Sequence, residues 1–360
     1  MSTAVFETEK SNQVSVNPGE NTVNTEAPPP AAVLTQILMG SLASQALYVA
    51  AKLGIADLLA DGPKTIEQLA KETNTDAPSL YRVMRALASI GVFTEQDKHT
   101  FAMTATSEPL RSDAPNSLRD VTIFWGEDWH WEVWGKIIHS VRTGKSAWAQ
   151  IHGDEVFEYF AKNPEAGEIF NRAMSSFSGI ATAAVVGAYD FSGIEKIVDI
   201  AGGHGRVLTG ILEANPKMRG VLFDLPHVIA GAREQVATST VAERVEFAEG
   251  DFFASVPEGA DAYIMKHIIH DWDDERAIKI LQNIKRAMKP GGHVLLVEAV
   301  IAEGNNADFG KLLDLEMLVA PGGKERTAAE YEELFSRAGL KLTRIVPTKS
   351  PYNVIEAVAA

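Results

Sequence analysis

The chain has no cysteine. That excludes disulfides, thiolate metal ligands and cysteine nucleophiles, and leaves the cytoplasm as the default compartment. Positive charge is also short: 33 Lys and Arg face 48 Asp and Glu, for a net charge of −15. A field of that sign repels phosphate backbones, so no nucleic acid is expected as a partner. No apolar run reads as approaching the ~20 residues that cross a bilayer. The N-terminus lacks a basic-then-apolar leader, and no membrane partner is expected. A Gly-x-x-x-x-Gly-Lys-Ser/Thr run is absent, which excludes a P-loop.

What is present is an ordinary globular composition, 46% apolar and 22% charged over 360 residues. That length suits two domains, since one core rarely grows past roughly 250–300 residues. Residues 1–30 are polar, end in Pro28-Pro29-Pro30, and predict a disordered tail. Val33–Leu59 then follows helical spacing, with Leu34, Ile37, Leu38, Leu42, Ala46, Val49 and Leu53 apolar. A helix so apolar around its circumference needs burial on several sides, which favours a subunit interface. Thr65 with Gln68 three residues on forms a capping box at the start of a helix. Pro78–Ile90 is a second helix, ended by Gly91, and Val92–Thr94 with Thr100–Met103 predict a hairpin about Gln96-Asp97-Lys98. Helix, turn, helix, hairpin is a winged-helix pattern. The second helix exposes only Arg82 and Arg85 as cations, which speaks for a dimerisation scaffold rather than a DNA reader.

From Asp120 to Asp190 the pattern is helical and rich in aromatics. Most of these rings belong in a core. Phe124, Trp125, Trp129, Phe170 and Met174, joined by Met317 later in the chain, are the candidates for the wall of a flat substrate's pocket. From Lys196 the period changes. Short apolar strands at Lys196–Ile200, Gly220–Phe223, Val245–Ala248, Ala262–Met265 and Val294–Val297 alternate with helices at Arg206–Ala214, Pro226–Thr238, Asp274–Met288 and Thr327–Ala338. That alternation predicts parallel βαβ units with helices on both faces. Lys341–Pro347 and Asn353–Ala357 are close enough to pair antiparallel at the sheet edge.

In such sheets ligands bind beyond the carboxyl ends of the strands. Gly202, Gly203 and Gly205 follow the first strand and suit a tight turn against a ligand. The third glycine of the dinucleotide fingerprint is missing, because Leu208 holds its place, and this argues against NAD. Asp224 closes the second strand and suits ribose hydroxyls. Asp251, beside Phe252 and Phe253 at the end of the third, suits an adenine. His270 sits past the fourth strand, where a titratable imidazole can serve as a base. A cofactor with adenosine and no phosphates, S-adenosylmethionine, fits this set. Asp271 and Asp273 would also suit a plain helix N-terminus, and a divalent metal is not expected.

Asp199–Gly205, Phe223-Asp224-Leu225-Pro226, Gly250-Asp251-Phe252-Phe253, Lys266–Trp272 and Pro321–Thr327 together resemble the plant-type and bacterial small-molecule O-methyltransferases. The likeness runs over about residues 33–358. It implies an α/β chain: a Rossmann-like class I methyltransferase domain with an N-terminal, mainly helical winged-helix dimerisation domain, and a homodimer. The expected division is a tail over 1–30, the dimerisation domain over 31–115, a helical linker and pocket region over 116–190, and the S-adenosylmethionine-binding domain over 191–360. The resemblance implies Gly202, Gly203 and Gly205 against the cofactor's amino acid part, Asp224 and Leu225 at ribose, Asp251 and Phe252 at adenine, and Lys266 nearby. It implies His270 as general base, flanked by Glu298 and Glu325, with Asp271 at the substrate. Ala201 stands where the family often has glycine. Glu316 stands where relatives place a neutral polar residue or histidine; facing the pocket, it would select a basic or strongly hydrogen-bonding substrate. Two other readings stay open: a same-fold enzyme that uses the cofactor for other chemistry, and a winged-helix regulator that senses a ligand.

Overall fold

The computed structural model describes residues 29–360, so the expected N-terminal tail lies outside it up to residue 28. Pro30 opens α1 (Pro30–Lys52). The expected helix over Val33–Leu59 is in fact two: Gly54 adopts a left-handed conformation (φ 66°), and a short helix, Ile55–Leu58, follows it. A glycine there reverses the chain at little steric cost, and apolar periodicity alone does not show the break. A second correction concerns length. With Lys52 as its one charged residue, this 23-residue helix is long and apolar enough to cross a bilayer by composition alone. Thr35, Gln36, Ser41, Ser44 and Gln45 interrupt it without charge.

The described residues divide after Leu42 into the start of α1 and a body, Ala43–Ala360. In the body, α2 (Ile66–Thr73) begins at the capping box read from sequence, with Thr65 and Gln68 bonded reciprocally. α3 (Ala77–Ser89) is capped by Asp76, and Ile90 and Gly91 close it. Phe93–Gln96 and Thr100–Met103 pair antiparallel, and Lys64–Thr65 adds a third short strand against Thr100 and Phe101. Leu69, Leu80, Met84, Leu87, Phe93 and Phe101 fill the space between these elements.

The large sheet has seven strands: β1 (Lys196–Ile200), β2 (Arg219–Asp224), β3 (Val245–Glu249), β4 (Ala262–Lys266), β5 (His293–Glu298), β6 (Leu340–Pro347) and β7 (Asn353–Ala359). Their order is β6-β7-β5-β4-β1-β2-β3. β1 to β5 run parallel, and β7 and β6 return antiparallel at the edge. The central strands are near-continuous apolar runs because both faces are covered. One cluster places Ile280, Leu281 and Ile284 of α6 (Asp274–Ala287) against the sheet, with Tyr331, Leu334 and Phe335 of α8 (Ala328–Arg337). The other sets Val185 of α5 (Pro164–Ala188) with Leu208, Ile211 and Ile229. Each buried Leu, Ile or Phe contributes about 1.5–3 kcal/mol relative to exposure. The strand order leaves the carboxyl ends of five parallel strands side by side. Those ends carry the site.

Candidate functional site

β4 ends at Lys266, and the chain then leaves the sheet. His267 takes φ 55°, a conformation that costs energy for a residue with a side chain. Ile269–Asp271 close as one 3-10 turn, and its middle residue, His270, is 5% exposed. A buried imidazole needs partners. Nδ1 lies 2.6 Å from Glu325 Oε1. A carboxylate only accepts, so Nδ1–H donates and the neutral ring presents Nε2 as its acceptor. Glu298 Oε2 is 3.4 Å from the same Nδ1, and Glu298 Oε1 accepts from the amides of Ile268 (3.0 Å) and Ile269 (2.9 Å). Asp271 Oδ1 is 3.6 Å from Nε2. The structure thus brings His270, Glu298, Glu325 and Asp271 together.

Burial alone would strip the His270 proton. The charge of Glu298, then those of Glu325 and Asp271, outweighs burial and holds the imidazole up at about 10. Burial raises Asp271 to about 7, against the pull of His270, and it raises Glu298 as well. Lys266 is pushed down to about 8, by burial against the attraction of Glu298 and Asp199. Its Nζ lies 3.1 Å from His267 Nδ1. Burial, with Lys266 and His270 adding to it, pushes His267 well below the usual range. That ring packs on Tyr352, with centroids 4.1 Å apart.

Beside this cluster, Ala201, Gly203 and Gly205 all take positive φ. A Cβ on Gly202 would collide with Leu222 and lie 2.6 Å from Asp199 Cγ. Gly203 N donates to Asp224 Oδ2 (2.9 Å), Leu225 N to Asp224 Oδ1 (2.7 Å), and Gly250 N to the Asp224 carbonyl (3.1 Å). Three strand ends are therefore tied into one cradle. Asp251 is exposed and caps Phe253 N (2.8 Å), while the rings of Phe252, Phe253 and Trp272 stand edge to face.

Sequence reasoning passed over Asp199 as a site residue. Its Oδ2 is buried with no partner, and burial raises the group to about 7 against the opposing charge of Lys266. The available signal was an acid inside the apolar run Ile197-Val198-Asp199-Ile200. An orphaned acceptor, a glycine cradle and carboxyl groups at each strand end suit hydroxyls, an amine and a sulfonium. They suit phosphates poorly. S-adenosylmethionine fits these residues.

Phe124 packs on Trp129 and on Phe170, each at 5.7 Å, with Trp125 against Phe177, and Met174 belongs to the same cluster. Phe157, not among the wall candidates read from sequence, stands between Phe170 (6.2 Å) and Trp272 (5.8 Å) and so joins this cluster to the His270 segment. Met317 is buried on α7 (Phe309–Val319). Its neighbour Glu316 has both oxygens taken, by His130 Nε2 (2.8 Å) and Trp134 Nε1 (2.7 Å). Burial works to raise Glu316, but the His130 partner lowers it overall. Both oxygens thus point to His130 and Trp134, and the carboxylate is anchored to the aromatic cluster.

His270, Glu298 and Glu325 also place one potential ligand atom each within 4.8 Å of one another, the spacing of a metal-binding set. Here Nδ1 and Glu325 Oε1 stand at direct hydrogen-bond distance, and Glu298 Oε1 is committed to two amides.

Residues 134–341 match a family model described as an O-methyltransferase domain, and residues 35–113 match an O-methyltransferase dimerisation domain. The phenazine O-methyltransferase PhzM of Lysobacter antibioticus is 46% identical over 331 residues, 92% of this chain and 97% of that protein. The crystal structure of LaPhzM aligns with a TM-score of 0.89 at 45% identity, over 92% of this chain and 100% of its own. Human N-acetylserotonin methyltransferase in complex with SAM aligns with a TM-score of 0.85 at 27% identity, over 94% and 99%.

Proposed function

We propose that this chain, which belongs to the O-methyltransferase family and uses S-adenosylmethionine, methylates a hydroxyl of a small aromatic or polyketide-like metabolite with His270 as general base. The observation that carries the reading is the 2.6 Å contact between His270 Nδ1 and Glu325, which commits one ring nitrogen and leaves Nε2 to accept a proton. When bound, the cofactor supplies a methyl group already activated on a sulfonium.

The protein's own work is then to align the acceptor and remove its proton. Gly202, Gly203 and Gly205 would hold the amino acid part, Asp224 and Leu225 the ribose, and Asp251 and Phe252 the adenine, with Lys266 alongside. Phe124, Trp125, Trp129, Phe170, Met174 and Met317 would wall the acceptor, and Asp271 would contact its polar edge. Glu298 and Glu325 stabilise the imidazolium that forms. Held up at about 10, the His270 ring keeps its proton at neutral pH when no other cation is near. A cofactor bound here would bring a second positive charge into the buried site and lower that value, because like charges disfavour the charged form. His270 becomes a competent base once the site holds cofactor.

We read residues 31–115 as the part that forms a homodimer, 116–190 as pocket-building and 191–360 as cofactor-binding, in a cytoplasmic, metal-independent enzyme. His270→Ala tests the base. Turnover of a hydroxylated aromatic acceptor should fall by about 10²–10⁴, while calorimetry still detects the cofactor. Wild-type turnover in that variant would remove His270 from the chemistry.

A further inference from the structure

Arg326 is fully buried and belongs to none of the roles above. A buried guanidinium is costly unless its donors are satisfied. Here each of the five N–H groups has an acceptor contact to make. Nη1 reaches Ile269 O (3.2 Å) and Lys324 O (3.3 Å). Nη2 reaches Trp272 O (3.0 Å) and Asp274 Oδ1 (2.8 Å), and Nε reaches the same Asp274 oxygen (3.2 Å). Ile269 directly precedes His270 and Trp272 follows it by two, so the fork spans the turn that carries the imidazole.

The same short segment reaches the other two members of the cluster. Glu325, next in chain, bonds His270 Nδ1, and Lys324 N donates to the His270 carbonyl at 2.9 Å. Arg326 also pairs as a strand with Val300, two residues beyond Glu298. The segments bearing His270, Glu298 and Glu325 come from positions up to 55 residues apart in sequence. Arg326 is where they are fastened together.

We propose that Arg326 is a positioning residue for methyl transfer, holding the imidazole of His270 and the carboxylate of Glu325 in register; this rests on His270 acting as the base. It touches neither of the two directly through its guanidinium. It acts through the backbone on either side of one and through the chain to the other. Lysine cannot replace it, having three rotatable donors and no planar fork.

Arg326→Lys is the test, with Asp274→Asn as a second variant that keeps the guanidinium and weakens its anchor. In Arg326→Lys, kcat should fall at least about 10-fold while the Kd for S-adenosylmethionine stays within about 2-fold, because the glycine cradle is untouched. The acid limb of the kcat profile should move to lower pH, since an imidazolium less well held by Glu325 releases its proton sooner. Asp274→Asn should shift both quantities the same way by less. Wild-type kcat in a folded Arg326→Lys protein overturns the proposal. So does a loss of kcat matched by equal loss of cofactor affinity with the acid limb unmoved, which is plain destabilisation. If Arg326→Lys does not fold, Asp274→Asn decides: unchanged kcat and acid limb overturn the proposal. His270→Ala measured alongside separates the two ideas, because wild-type turnover there would fail the base and not the fastening.

Discussion

At the scale of single residues, the cluster makes a prediction about stability and pH. The His270 value is raised from 6.5 to about 10, so the folded protein binds that proton more tightly than the unfolded chain. Its contribution is complete below 6.5 and is lost as pH rises toward 10. Lys266 moves the other way, from 10.5 to about 8, so its penalty is relieved only between those values. Asp199 and Asp271, both raised to about 7, lose their contribution by that pH. Between pH 6.5 and 8 these losses are opposed mainly by the last of the relief at His267 and His204, whose values burial lowers. Cofactor-free protein should lose about 1–2 kcal/mol from His270 alone over that interval, and the curve should flatten above pH 8. Urea unfolding followed by tryptophan fluorescence measures it; a His270→Gln variant with the same slope would rule out the imidazole as the source. His270 and Asp224 were singled out in the sequence because each ends or follows an apolar strand, which is a local signal, whereas Glu298 came only with the family resemblance. Arg326 was quoted within its motif but given no role, because its burial depends on carbonyls more than fifty positions away. Glu316 was read as a possible selector. The residues that occupy it, His130 and Trp134, lie on a helix over 180 positions upstream.

At the scale of elements, the segment Pro321–Thr327 is the piece that closes the site, and its glycines have different duties. Gly322 takes φ 80°, with only the Ser146 Cβ near its position, at 3.5 Å. An alanine there should cost about 1 kcal/mol in backbone conformation and leave kcat close to wild type. A Cβ on Gly323 would collide with the His270 carbonyl oxygen and meet Asp271 C. Backbone atoms cannot swing aside as a side chain can, so Gly323→Ala must displace the turn that carries His270. Its kcat should fall at least 10-fold, a larger effect than its change in unfolding midpoint suggests. Steady-state kinetics and urea midpoints on the pair check the contrast, and equal kcat values in the two variants would sink it. Elements whose signals are local were read well: the capping box at Thr65, the parallel strands, the antiparallel edge pair. The break at Gly54 was missed because apolar spacing continues across it. α7 was missed because Leu312, Leu313, Leu315, Met317 and Leu318 give it no single apolar face.

At the scale of the whole molecule, the question is what covers α1. Leu34, Ile37, Leu38 and Leu42 are 63–69% exposed and recur at helical spacing, so they form one apolar stripe. Stripes of that kind mark an interaction surface. The apolar circumference was read as a subunit interface, although the length and composition of the helix would also permit a bilayer. The match of residues 35–113 to a dimerisation domain favours a second copy of this chain. Burying each of these side chains in a partner would contribute about 1.5–3 kcal/mol, so two lysines in the stripe should be decisive, as each adds a desolvated charge to the lost contact. Wild-type protein should therefore sediment as a dimer at micromolar concentration. Ile37→Lys with Leu38→Lys should sediment as a monomer while keeping the circular dichroism of the folded body. A wild-type monomer, or wild-type protein that floats with lipid vesicles while the double variant does not, would assign the stripe to something other than a second copy.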